Sequence, residues 1–220
     1  MTEDTSTRKR FLGAGAASGL AAFLAACGDK PQTDSSTTDT GASPAGTPEA
    51  SMTGDLAILN YALTLEYLEA DFYAQVDNSG LASGKVSSLV KALGQTEQDH
   101  VDSLTQTITS LGGTPVTKPK TKFGPVLEQG LDAVLKTAAT VENLGAAAYL
   151  GQAPKIESKE ILAAALSIHS VEARHAAALN MVVGRGFTGK SPLQGSIPDG
   201  AFAAPMQMQD VLTAVKPYLA

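Results

Sequence analysis

From residue 55 onward, apolar side chains recur every three or four positions in four long stretches, the period of helices that each bury one face. Leu59, Ala62, Ala70 and Tyr73 mark the first, predicted over about 55–76 with Asp55 as its N-cap. Leu89, Leu93, Leu104, Ile108 and Leu111 mark the second, over about 85–111, which Gly112 and Gly113 stop. Pro115, Pro119 and several lysines make 114–124 a long crossover rather than a helix. Leu131, Leu135, Ala138 and Tyr149 mark a third helix over about 125–150, with Gly151 after it. Ile161, Ala165, Ile168, Leu179 and Val182 mark a fourth, capped by Ser158 and ended near 183 by Gly184. Beyond it, glycines and prolines break any regular pattern. Phe187, Leu193, Ile197 and Phe202 are expected to pin that arm to the bundle, and a short fifth helix follows over 208–215. The expected fold is all-α, a four-helix bundle with a long crossover between helices two and three and a C-terminal arm.

Charged residues sit on those apolar stripes at matched places. Glu66 is followed seven residues on by Tyr73 and 31 residues on by Glu97, with His100 three residues later. Glu142 is followed in the same way by Tyr149, by Glu172 after 30 residues, and by His175. Seven residues are nearly two helical turns and three are just under one, so each pair shares a helix face. An isolated Glu-x-x-His is usually a surface pair. Here two lie on core stripes, each with an upstream Glu. Four inward faces would place four carboxylates and two imidazoles around one point, the ligand set of a carboxylate-bridged di-metal centre. Four carboxylates neutralise two divalent ions, and without metal they would repel one another or take up protons. Iron or manganese suits oxygen-rich sites with a little nitrogen, and zinc would bind without cycling redox states.

Other polar residues near the stripes read differently. Tyr73 and Tyr149 would pack in any bundle, and their matched spacing also suits a phenol hydrogen bond to a ligand carboxylate. Glu69 could support the site from outside or stay a solvated helix residue. His169 is offset from His175 around its helix and reads as a satisfied or exposed histidine.

The start of the chain changes the picture. Arg8, Lys9 and Arg10 precede a Gly- and Ala-rich apolar stretch that ends in Leu24-Ala25-Ala26-Cys27, with the only Cys of the chain. Residues 1–27 thus resemble a bacterial lipoprotein signal with Cys27 as the lipidated residue. The alternative is a simple secretory signal. Arg8-Lys9-Arg10 also resembles a twin-arginine signal interrupted by Lys9, so that export route stands beside the general one. Residues 28–54, rich in Ser, Thr, Asp, Pro and Gly, cannot bury enough apolar surface to fold and read as a tether. The bundle would then span 55–184 and the arm 185–220. With 220 residues, 43% hydrophobic, the chain can bury one medium-sized core, and its net charge of −6 argues against nucleic acid as a partner.

Glu66, Glu97-x-x-His100, Glu142 and Glu172-x-x-His175, in that order and spacing, resemble the ferritin-like superfamily, including bacterioferritins and rubrerythrins. The resemblance implies that Glu97 and Glu172 bridge two metals, that Glu66 and Glu142 are terminal, and that His100 and His175 cap one metal each. The segments ALTLEYLEADFY and VEARHAAALN are similar to ferritin-like domain proteins related to desiccation-associated ones. Activities in the superfamily range over ferroxidase, peroxidase, manganese catalase and oxygenase, so the fold leaves the reaction open. The expectation is an exported, lipid-anchored envelope protein with two Fe or two Mn ions that meets oxygen or peroxide under oxidative or desiccation stress. A non-catalytic envelope protein and an iron-buffering module are the alternatives. Oligomers are compatible with this reading, whereas a lipid anchor, tether and arm would complicate a closed storage cage.

Overall fold

The backbone signal for helix is realised throughout the computed structural model, which describes residues 48–184 and 201–220, with side chains from residue 53 on. Cys27, the signal and most of the tether, and residues 185–200 of the arm, lie outside the described residues. Four long helices, α1 (Pro48–Ser79), α2 (Gly84–Ser110), α4 (Leu131–Gln152) and α5 (Lys159–Val182), form the bundle. Two short ones, α3 (Gly124–Leu127) and α6 (Met208–Val215), lie beside it, and the described residues contain no strand longer than an isolated bridge. Helix α1 packs chiefly on α2, and α4 on α5.

Three expectations about helix ends need correction. Asp55 lies inside α1 rather than capping it, and it is buried. Its carboxylate accepts from the backbone N–H groups of Glu157 (3.0 Å) and Ser158 (2.9 Å), tying α1 to the start of α5. Ser158 itself caps α5 by accepting from Ile161 N–H at 3.2 Å. The predicted third helix is two helices: Gly130, at φ 88°, breaks it in a conformation that L side chains rarely adopt. Gly151 does not stop that helix but lies in it. A Cβ there would sit 1.9 Å from Met206 O, so the missing side chain lets the C-terminal segment lie against α4. Met206 N–H donates to Ala147 O at 3.0 Å. That backbone contact seats the arm's described part, whereas Phe202 is 93% exposed and pins nothing.

The crossover between α2 and α3 runs along α1. Val116 N–H donates to Asn60 Oδ1 at 2.6 Å, Lys118 pairs with Asp71 at 2.5 Å, and Thr121 Oγ1 bonds both Asp71 and Gln75. From Asn60 to Gln75 is about 22 Å of helix, at 1.5 Å per residue. The chain thus returns to the far end of the bundle before α4 begins, and α4 runs in the same direction as α2. Phe123, fully buried, anchors this end against Phe72 and Tyr218.

The apolar interior is divided in two. One cluster gathers Leu68, Phe72, Val76, Val90, Leu93, Val134 and Ala138 with Val211 and Val215 of α6. The other gathers Leu59, Leu63, Val101, Leu104, Ile108, Ile161 and Ile168. On α2 and α5 the charged residues fall between the two, whereas on α1 and α4 Glu66 and Glu142 are flanked on both sides by residues of the first cluster.

Candidate metal centre

Each long helix contributes from a buried stretch of its apolar stripe. Glu66 comes from α1, Glu97 and His100 from α2, Glu142 from α4, and Glu172 and His175 from α5. All four carboxylates are fully buried, and the two imidazoles keep 11% of their side-chain surface exposed. His100 Nδ1 lies 3.0 Å from Glu97 Oε2 and 3.2 Å from both Glu66 Oε2 and Glu172 Oε1. His175 Nδ1 lies 2.7 Å from Glu97 Oε1 and 3.2 Å from Glu142 Oε2. The rings stack at 29° with centroids 6.5 Å apart. All six residues singled out by the sequence pattern are brought together.

Their ligand atoms fall into two sets of four. Glu66, Glu97, His100 and Glu172 form one, and Glu97, Glu142, Glu172 and His175 form the other, with the atoms of each set within 4.8 Å of one another. Glu97 and Glu172 belong to both. Several inward atoms lack a hydrogen-bond donor: both oxygens of Glu172, Glu142 Oε2 and Glu97 Oε1. Some of these are within ion-pair distance of an imidazole without hydrogen-bond alignment. Buried carboxylate oxygens are rarely left this way, and cations would satisfy them.

The phenols cross between the two halves of the chain. Tyr73 OH donates to Glu142 Oε1 and Tyr149 OH to Glu66 Oε1, each at 2.5 Å. Each tyrosine of one half thus holds the first glutamate of the other. Burial, with the charge of the accepting carboxylate, pushes both phenols well above their ordinary pKa.

Burial dominates the carboxylates as well. It raises Glu66 to about 7, although bonds from His100 and Tyr149 pull the other way. Glu142 is raised, and Glu172 is raised well above the ordinary range, again by burial first and neighbouring carboxylates next. Glu97 is the exception. Burial would raise it, but bonds from both imidazoles outweigh that and bring it down to about 2. The same contacts overcome burial at the histidines, lifting His100 to about 12 and His175 to about 9. Without metal, protons hold the cluster together.

Glu69 is not a solvated residue. It is 2% exposed, with Oε2 lacking a hydrogen-bond partner, and burial and the charge of Glu172 lift it well above the carboxylate range. His169 Nδ1–H donates to Ala146 O, 3.0 Å away, and takes no part in the cluster. Asn143 and Asn180 form an amide pair (2.9 and 3.3 Å) between α4 and α5 that the sequence reading missed. Isolated asparagines carry no periodic signal by which to find it.

Residues 54–185, which hold every residue of the cluster, match the family described as the ferritin-like domain. No curated protein matches the chain.

Proposed function

Because this chain belongs to the ferritin-like domain family, we propose that it binds a di-iron or di-manganese centre and uses it to oxidise ferrous iron or remove peroxide. The observation that carries this reading is the pair of four-atom sets sharing Glu97 and Glu172. Glu66 and His100 would complete one position, Glu142 and His175 the other. The donor set fits: four carboxylates neutralise two divalent ions, and a set of six residues, four offering oxygen and two nitrogen, suits iron or manganese. Such ions, when bound, supply adjacent one-electron redox equivalents to an oxidant.

The chain's own residues prepare that chemistry. Tyr73 and Tyr149 orient the terminal carboxylates, so their free oxygens turn toward the centre. His100 and His175 must give up protons to become ligands, and loading therefore releases protons. The apolar clusters on either side exclude water from the carboxylates, while the partly exposed imidazole edges give the cluster its nearest approach to solvent.

We further propose that the domain acts outside the cytoplasmic membrane, held by a lipid on Cys27 and the 28–54 tether, on the strength of the Leu24-Ala25-Ala26-Cys27 motif. A role in oxidative or desiccation stress is part of the same proposal, on the likeness of the segments ALTLEYLEADFY and VEARHAAALN to proteins related to desiccation-associated ones. An iron-buffering or non-catalytic envelope role is the second reading. The imidazole–Glu97 pairs favour it, because they let the cluster hold together without metal. Metal analysis of protein isolated from its own cells, then anaerobic Fe(II) loading and exposure to oxygen or peroxide, separates the readings. Two ions per chain with oxidant consumption is the expected result. Two ions without turnover favours buffering, and failure to load two ions refutes the di-metal centre.

A further inference from the structure

The two halves of the centre differ at one place. Glu66 and Glu142 correspond, and one turn on from each stand Glu69 and Gly145. Tyr73 reaches Glu142 and Tyr149 reaches Glu66, so α1 and α4 cross antiparallel, and midway between those bridges Glu69 faces Gly145. A Cβ on Gly145 would stand 2.8 Å from Glu172 Oε2 and 3.0 Å from Glu69 Oε1. The space left by the glycine is filled by these two carboxylates. Both Glu172 oxygens and Glu69 Oε2 lack a hydrogen-bond donor, although both residues are almost wholly buried.

Glu172 Oε1 is the oxygen near His100. Its other oxygen is the one that shares the Gly145 space with Glu69. Resting on the di-metal reading above, we propose that Glu69 is a fifth ligating carboxylate, serving the Glu142–His175 position and making the two metal positions unequal. Gly145 is the residue that admits it. A symmetric centre would present the same four donors to each ion. Here an added anionic oxygen makes the Glu142–His175 position the tighter one for a hard, highly charged ion.

Calorimetric titration of the mature protein with Mn(II), paired with anomalous diffraction from Mn(II)-loaded crystals, tests this. Wild type should take two ions in distinguishable steps, with a Glu69 oxygen roughly 2.0–2.5 Å from the ion at the Glu142–His175 position. Glu69→Gln keeps the side-chain volume and should weaken that position tenfold or more, while the His100 position changes less than threefold. Gly145→Ala, whose methyl group would push Glu69 and Glu172 out of the space they share, should weaken the same position at least as much. If both variants bind Mn(II) as wild type does, or the loss falls at the His100 position, the assignment of Glu69 is overturned and the di-metal centre survives. If wild type itself takes fewer than two ions, both fall.

Discussion

Raising the pH should destabilise the metal-free protein in a range where most proteins are indifferent. Glu66 titrates at about 7 in the folded chain against 4.5 ordinarily. A group whose folded pKa is raised gives stability that is complete below its unfolded pKa and is lost as pH rises through the folded one. For Glu66 the window is pH 4.5 to 7, and the shift corresponds to about 3 kcal/mol. His175, lifted from 6.5 to about 9, extends the loss upward with the same sign, to a lesser degree because part of its ring meets solvent. Glu97 runs the other way: its depressed pKa contributes stability above 4.5 that is lost as pH falls toward 2. Metal-free protein should therefore be most stable near pH 5.

Urea unfolding of chelator-treated protein at pH 5, 6, 7 and 8, followed by circular dichroism, measures this. With roughly 1–3 kcal/mol per molar urea for a domain of this kind, 3 kcal/mol moves the midpoint by about 1–3 M. Glu66→Gln puts a neutral amide where the folded chain keeps a protonated carboxyl, and should make the curve between pH 5 and 7 shallower by Glu66's share, leaving the fall that Glu69, Glu142 and Glu172 contribute with the same sign. With Mn(II) present the slope should reverse, since deprotonated ligands bind metal better and bound metal stabilises only the folded chain. A wild-type midpoint that holds steady or rises from pH 5 to 7 without metal, or a Glu66→Gln curve as steep as wild type, refutes the reasoning.

The double variant Glu97→Ala, Glu172→Ala should lose metal binding and the metal-induced rise in melting temperature. Its metal-free melt should stay close to wild type, because relief of crowded charge offsets the cavities; a metal-free variant that unfolds far earlier would make the carboxylates structural. Tyr73→Phe takes the donor from Glu142 and should cost about 1–3 kcal/mol in metal-free urea unfolding, and a change within a few tenths would show that the ring only packs. Cys27→Ser should release the domain from membrane fractions without altering its melt, and an unchanged membrane fraction would exclude lipid on Cys27 as the anchor.

The meeting of six side chains was legible because their information is periodic. Glu66, Glu97, His100, Glu142, Glu172 and His175 each occupy a position that the helical period assigns to the core, and a charge there has few explanations. What stayed illegible depends on what faces a residue rather than on its own spacing. Glu69 is also one turn from Glu66, yet its burial depends on the empty space at Gly145, 76 residues later in the chain. Asp55 reads as a cap because acids open helices. Its real partners, the N–H groups of Glu157 and Ser158, begin a helix about a hundred residues on. Gly151 and Gly130 look alike in sequence. One breaks a helix through its positive φ, and the other stays helical to let Met206 approach.

The position of the carboxylates between two apolar clusters ties the chemistry to the fold. Four bundle helices need a continuous core, and this one is interrupted by a layer of five buried acids, Glu66, Glu69, Glu97, Glu142 and Glu172. Two imidazoliums can balance only two of those charges, so the other acids must carry protons or face cations. The tyrosine bridges run between halves, from Tyr73 to Glu142 and from Tyr149 to Glu66, so neither half can reposition its terminal carboxylate alone. The layer is therefore held in place before any cation arrives, with protons in the positions cations would take. Near neutral pH Glu66, raised to about 7, is poised to give up its proton. Exchange of protons for cations would then satisfy the buried carboxylate oxygens that lack donors, a physical reason for such a cluster to take up metal.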